Sequence, residues 1–167
     1  GTRNASGVLV ASKIEFKRGN NAGVAGIVDA VTPDTASLGG TLTVLGVTIT
    51  VDDNTRVEDK SDARIESFRL TNLVVGDYVR VRGTETAALR LTASRLERRR
   101  MERDTWVRGT ARDLAAPNLT VLGVPVVTNA STDFEEVSST EFFATAAGRV
   151  VKAKGTESTN TVIAREI

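Results

Sequence analysis

The six-residue sequence LTVLGV occurs twice in this chain, at residues 42–47 and again at residues 119–124. A second stretch repeats more loosely, since VGDYVRVRGT at 75–84 returns as AGRVVKAKGT at 147–156. Internal repeats of this length indicate that each copy forms one structural unit of similar shape. The sequence therefore predicts two related units, one after the other along the chain.

Each copy of LTVLGV lies inside a pattern that is typical of a β-hairpin. Leu42 and Val44 alternate with polar residues before Gly46, and Ile49 and Val51 continue the alternation after it. An apolar residue at every second position places one face of each strand in a core. The turn at Leu-Gly therefore joins two strands whose buried faces meet.

The last strand of each copy carries one residue too many for strict alternation. Leu91 and Ala93 keep the period of two, but the next apolar residue is Leu96 rather than residue 95. One extra residue in a strand is a β-bulge, which bends the strand and restores its buried face. The sequence predicts a bulge here and an equivalent one in the strand that ends the chain.

Each copy therefore contains a strand, a hairpin of two strands, a short helix, a strand and a bulged strand. This is the order of the OB-fold, a small and partly open Greek-key barrel. We predict an all-β chain of two tandem five-stranded OB-like β-barrels, each with a short helix between strands 3 and 4, plus an extra N-terminal β-strand. The predicted boundaries are residues 1–19 for the extra strand, 20–100 for the first barrel and 101–167 for the second.

The composition excludes several common kinds of active site. The 167 residues contain no His and no Cys, so Cys/His zinc sites, Ser-His-Asp triads and Cys-His dyads cannot form. Lys and Arg number 22 against 21 Asp and Glu, which gives no global field toward a charged partner. No apolar run is long enough to span a membrane. We expect a protein that is not an enzyme and that uses no cofactor.

Three stretches together resemble a bacterial repeat family that carries only a domain-of-unknown-function label. They are LTVLGVTITVD at 42–52, LVVGDYVRVRGT at 73–84 and the A-x-R-x-E pattern at 93–97. The resemblance is close over residues 24–100 and looser over 104–167, where Gly76-Asp77 becomes Gly148-Arg149. It implies modular β-barrels and export, to the extracellular space, the cell surface or the periplasm. It implies no catalytic residues.

Residues 1–18 match the last strand of a unit, although no unit precedes them in this sequence. Three interpretations stay open: an excerpt of a longer repeat array, a strand that folds back on the first barrel, or a strand given to a neighbouring molecule. The last interpretation predicts a structural protein that assembles head to tail into filaments by donor-strand complementation. The residues expected to carry it are the apolar ones, Val8, Val10, Ile14 and Phe16.

A basic stripe recurs in both copies and offers an alternative function, a binding module for an oligosaccharide or single-stranded nucleic acid on the barrel face. Nucleic acid is disfavoured, because single-strand binders stack bases on aromatic side chains and the chain has only five Phe, one Tyr and one Trp. The side chains expected to point outward on this face are Tyr78, Arg80, Arg82, Trp106, Lys152 and Lys154.

One acidic stretch contains oxygen ligands of the kind that Ca²⁺ prefers, at Asp52 and Asp53. The second copy does not repeat these carboxylates, since residues 129–131 read Asn-Ala-Ser. Clusters of Asp and Asn at strand ends more often serve as turn residues. We therefore predict no metal site and keep Asp52 and Asp53 only as a weak calcium candidate.

Overall fold

The computed structural model describes residues 2–3, 9–10 and 21–167. The described chain is mostly β-strand, with one α-helix, α1 at Ser139–Thr145, and one 3₁₀ turn at Leu70–Asn72. The prediction of an all-β fold is confirmed. No helix in this part of the chain has the length and apolar character needed to cross a membrane.

The first unit contains six strands, and five of them close into a barrel. In the ring, β3 pairs with β4, β4 with β5, β5 with β8, β8 with β7, and β7 again with β3. Only the β5–β8 pairing in this ring is parallel. The strands are β3 Ala22–Pro33, β4 Gly40–Val44, β5 Val47–Val51, β6 Arg56–Lys60, β7 Tyr78–Ala87 and β8 Arg90–Arg99.

The predicted hairpin forms two neighbouring strands of this barrel, β4 and β5. Val44 pairs with Val47 next to the turn, and the predicted apolar face of both strands is buried. Leu45 and Gly46 both have positive φ, 53° and 72°, as a two-residue turn between twisted strands requires. Leu45 accepts this unfavourable conformation while its side chain is buried in the core.

Strand β6 was not predicted, and it lies outside the ring. It pairs in parallel with the second half of β8, from Arg56 opposite Arg95 to Lys60 opposite Arg99. The helix predicted between strands 3 and 4 is wrong for the first unit, where β6 and the turn at Leu70–Asn72 occupy the connection. In the second unit the predicted helix is present as α1.

The second unit repeats the pairing order with its own five strands. Here β9 pairs with β10, β10 with β11, β11 in parallel with β13, β13 with β12, and β12 with β9. Leu122 in its hairpin turn has φ 55°, close to the value at Leu45. The strands are β9 Thr105–Ala115, β10 Asn118–Val121, β11 Val124–Val127, β12 Val150–Ser158 and β13 Thr161–Glu166.

The predicted bulges are present in the last strand of both units. In the first unit the pairing passes from Arg82 opposite Arg95 to Gly83 opposite Ala93, so that Ser94 is the extra residue. The second unit shows an equivalent shift between Lys154 and Gly155. The register therefore confirms the interpretation of the irregular apolar spacing.

The two units share a continuous sheet because their first strands pair antiparallel. Val24 of β3 lies opposite Val107 of β9, and Ala25 lies opposite Trp106. Val24 and Val107 occupy equivalent positions, three residues into each first strand. The pairing therefore places a local pseudo-two-fold axis between them. We call this junction the seam; Thr105 reinforces it by donating a buried hydrogen bond of 2.5 Å to the Ala25 carbonyl.

The described residues before position 21 form a separate two-stranded sheet. Strand β1, Thr2–Arg3, pairs antiparallel with β2, Leu9–Val10. Its register, Thr2 opposite Val10, equals that of the equivalent pair Thr84 and Thr92 in the first unit. The pairing of these four residues thus repeats that of their equivalents in β7 and β8.

Candidate functional site

Four strands lie side by side around the seam, in the order β7, β3, β9, β12. The register forms rows across them, and the central row, Val81, Val24, Val107 and Ala153, is fully buried. Residues on either side of a buried row belong to the opposite face of a pleated sheet. On that face one row is Arg80, Ala25, Trp106 and Lys154, and the next is Arg82, Gly23, Arg108 and Lys152.

The two outer rows line a groove of about 450 Å³, which we call the seam groove. It lies at the junction of the two units, and both units contribute to its walls. Its lining residues are Ala22, Arg80, Arg82, Glu102, Asp104, Trp106, Arg108, Lys152 and Lys154. Five of the predicted ligand-face residues thus converge on one site: Arg80, Arg82, Trp106, Lys152 and Lys154.

Small residues of β3 make room for the groove floor. A Cβ atom at Gly23 would lie only 3.0 Å from Cζ3 of Trp106. The indole ring of Trp106 therefore lies directly against the β3 backbone at Gly23. Lys152 Nζ is 5.6 Å from the centre of the same ring, a distance at which the ammonium is attracted to the aromatic face.

Carboxylates neutralise one side of the groove. Arg80 Nη2 donates to both carboxylate oxygens of Glu102, at 2.9 and 2.6 Å. This hydrogen bond raises the pKa of Arg80, so the guanidinium stays charged. Lys154 Nζ lies 3.7 Å from Asp104 and 3.6 Å from Glu166.

The other three cations of the groove are exposed and have no ion pair among the described residues. Arg82 and Lys152 lie at the two ends of the second row, and Arg108 lies between them. The groove as a whole contains five cationic side chains and two carboxylates. Its surplus of positive charge is concentrated in this row.

Tyr78 lies on the predicted outward face, two residues before Arg80, but it is not exposed there. Its side chain is only 3% exposed, and its hydroxyl donates a 2.5 Å hydrogen bond to the Asp104 carbonyl. Burial, followed by the charge of Glu102, raises the pKa of Tyr78 to about 12. Tyr78 therefore holds the connection between β8 and β9 in place, and it does not line the seam groove.

Arg108 belongs to the groove but was not among the predicted ligand-face residues. Its signal is the period of two in β9, which places Arg108 on the same face as Trp106. The first unit has Ala25 at the equivalent position. Because the charge at Arg108 does not recur in the first unit, a search for charges shared by the two copies does not find it.

The weak calcium candidate shows the geometry of a turn. Asp52 Oδ1 accepts a hydrogen bond from the backbone N–H of Asn54 at 3.0 Å and from the hydroxyl of Thr55 at 3.4 Å. Such bonds are typical of an Asx turn. Over the described residues, no group of three or more acidic side chains is arranged to hold a metal ion.

A second polar cluster joins β6 to β8. Arg98 Nη2 lies 2.5 Å from Asp59 Oδ2, and the Asp59 side chain is completely buried. Arg95 Nη2 lies 2.6 Å from Glu58, which Arg56 also contacts. These side chains pair with one another across the two strands, so the cluster fastens the outer strand.

The strand-donation residues lie mostly outside the described part of the chain. Val10 is in β2, while Val8, Ile14 and Phe16 fall outside the described residues. The backbone pairing of β2 with β1 gives no position relative to another molecule. Strand donation by these residues stays a prediction.

The closed ring of strands and the repeated sequence place the chain among repeat-built β-barrel proteins. A model of the family described as domain of unknown function (DUF5666) matches residues 25–97 and again 108–167. The chain therefore belongs to this family, and the resemblance seen in its repeats is confirmed. No curated protein matches the chain.

Proposed function

We propose that this protein is a non-catalytic structural module of two tandem OB-like β-barrels held as one body. The observation that carries this proposal is the pairing of β3 with β9, which runs one sheet from the first unit into the second. The same order of strand pairing in both units supports an OB-like barrel in each. In both, the third strand of the unit pairs in parallel with its last strand.

Contacts beyond the paired strands support a rigid connection. The Leu89 N–H donates to the Leu122 carbonyl at 2.8 Å, which links the β7–β8 turn to the opposite hairpin. Glu85 accepts a 2.9 Å hydrogen bond from the Thr110 N–H across the same junction. A connection with backbone hydrogen bonds on several elements resists hinge motion. This suits a load-bearing or spacing role.

A second candidate function, head-to-tail assembly, is favoured by the register of β1 and β2. The pairing of these strands reproduces the register of the equivalent residues in β7 and β8. Both described rings are complete, so a donated strand has to add to an edge. Strand β6 is such an edge, since within the described residues it pairs only with β8. The exported location implied by the family resemblance agrees with a chain that lacks Cys.

Engineered cysteines test this assembly, because the chain has none of its own. Val10→Cys combined with Arg56→Cys should give disulfide-linked polymers on non-reducing gels if β2 of one copy docks on β6 of another. The matched control, Val10→Cys with Asp113→Cys, should stay monomeric. Monomers in both variants, together with no polymers of the unmodified chain by sedimentation velocity, would rule out strand donation to β6.

A further inference from the structure

The seam groove concentrates positive charge that the rest of the chain does not have. The whole sequence has a formal net charge of +1, yet the groove alone contains five cationic side chains against two carboxylates. Arg82, Arg108 and Lys152 have no carboxylate partner among the described residues. Clustered like charges repel one another, so an unneutralised row of cations is a signature of a site for an anion.

The length of this row indicates an extended anionic ligand. Arg82 on β7 and Lys152 on β12 are separated by three strand-to-strand steps, which is about 14 Å at the usual spacing between strands. One small anion cannot contact both ends. The groove volume of about 450 Å³ lies within the usual range for ligand sites. A chain with several anionic groups fits this geometry.

The aromatic side chain of the groove argues against a nucleic acid. Trp106 lies against the backbone at Gly23, and Lys152 Nζ is placed over its ring. A base would have to displace this ammonium before it could stack. Tyr78 is buried and offers no second platform. Single-strand binding proteins depend on such stacking, so the groove lacks their main source of affinity.

The two carboxylates of the groove favour a ligand with hydroxyl groups. Glu102 and Asp104 line the same cavity as the cations. A carboxylate only accepts hydrogen bonds, and its oxygens have sites beyond those used by Arg80 on Glu102 and by Lys154 and Arg165 on Asp104. Sugar hydroxyls can donate to these oxygens, and a saccharide carries several of them on each residue, whereas the backbone of DNA has no donor and that of RNA has one hydroxyl per nucleotide. A saccharide that also carries anionic groups matches both kinds of lining residue.

We propose that the seam groove binds an anionic oligosaccharide, a chain of sugars that bears carboxylate or sulfate groups. Arg82, Arg108 and Lys152 pair with the anionic groups along the row. Glu102 and Asp104 accept hydrogen bonds from sugar hydroxyls at the opposite rim. The site requires both units, because β7 and β12 supply its two walls. This inference is independent of strand donation and of any filament.

Trp106 provides a direct readout, since it is the only Trp in the chain. Heparin oligosaccharides as the sulfated probe and oligogalacturonate as the carboxylated probe should be titrated at low salt, with emission recorded from Trp106. We expect a saturable change with at least one probe, which weakens as salt screens the charges. Neutral dextran should give no change. Which anionic probe binds more tightly then distinguishes sulfate from carboxylate recognition.

Charge-removal variants assign the binding to the groove. Arg82→Gln, Arg108→Gln and Lys152→Gln combined should weaken binding about tenfold or more, because each removes one opposite charge near the ligand. The matched control combines Arg64→Gln, Arg90→Gln and Arg149→Gln, which removes the same charge from exposed sites outside the groove. It should bind as the unmodified chain does. Circular dichroism establishes that both variants are folded.

Three results would overturn the proposal. One is the absence of any Trp106 response to both anionic saccharides at low salt. Another is equal binding by the groove variant and the control variant, which would place the ligand elsewhere. The third is tighter binding of a single-stranded oligothymidylate than of either saccharide, which would assign the groove to nucleic acid.

Discussion

Glycine positions at the bulges give the sharpest constraint on single residues. A Cβ atom at Gly83 would collide with the Thr92 carbonyl oxygen, and one at Gly155 would collide with the Ile163 carbonyl oxygen. Both colliding atoms belong to the backbone of the partner strand, so a shift would break the pairing at the bulge. The two copies therefore need glycine here for the same steric reason.

We expect Gly83→Ala to lower the free energy of unfolding by about 2 kcal/mol or more, the cost of overpacking against atoms that cannot move. Gly76→Ala is the control, since no atom beyond its two chain neighbours lies within 4 Å of a Cβ there and only its φ of 95° is unfavourable. It should cost about 1 kcal/mol. Urea unfolding measures both. Equal losses would mean that the bulge can relax.

Residue-level patterns predicted the hairpin and the bulge correctly because both depend on local alternation. The convergence of Arg80 with Lys152 followed from their recurrence with a period of two. Tyr78 lies on the expected face but is not exposed, because the connection at Asp104, which is distant in sequence, covers it. Alternation within one strand carries no information about such a contact.

Among the elements, β6 is attached to the barrel largely by charge pairing. Only Val57 of its five residues is apolar, which explains why alternation did not reveal it. Arg98 pairs with the buried Asp59 and also lies 4.7 Å from the ring centre of Phe68. The strand is held by ion pairs and by a parallel ladder to β8. Because the basic partners and the paired backbone belong to β8, the sequence of β6 alone does not reveal the strand.

The ion pairs of β6 should make stability depend on acid pH. The hydrogen bond from Arg98 holds the pKa of Asp59 far below its usual range, and the bond from Arg95 lowers the pKa of Glu58 to about 2. A carboxylate with a depressed pKa stabilises the fold above its unfolded pKa of about 4. That contribution is lost as pH falls through the folded value.

We therefore expect the free energy of unfolding to fall between about pH 4.5 and pH 2. Asp59→Asn should cost about 2 kcal/mol at pH 7, because it leaves Arg98 without its buried partner, and should flatten the acid dependence. Asp62→Asn is the control, since its pair with Arg100 is largely exposed and contributes little. Urea titrations across this range measure both. An unchanged profile for Asp59→Asn would contradict the assignment.

Across the whole molecule, the pseudo-two-fold axis relates two glutamates in opposite surroundings. Both follow a Gly-Thr pair, as Glu85 and Glu157. Glu85 accepts from the Thr110 N–H and lies 3.7 Å from Arg112. For Glu157, burial and then the charge of Asp29 raise the pKa. Glutamate at this position therefore has favourable partners in the first unit, whereas in the second unit burial and a neighbouring negative charge disfavour its charged form.

Neutralising these two positions should have effects of opposite sign. Glu85→Gln should lower the free energy of unfolding by about 1 kcal/mol, because it weakens a charge-assisted hydrogen bond. Glu157→Gln should raise it by about 0.3 kcal/mol at pH 7, and this gain should disappear in acid, where the native carboxyl takes up its proton. Thermal and urea unfolding measure both. The same sign for both substitutions would refute the asymmetry.

The antiparallel contact between β3 and β9 also limits how such units can be combined. Each strand presents its first half to the equivalent half of the other, so neither retains that edge for another partner. A self-complementary contact of this kind closes at two members and cannot propagate. Longer arrays of this repeat should therefore be organised in couples, and any growth beyond a couple has to use a surface chemically unlike the seam.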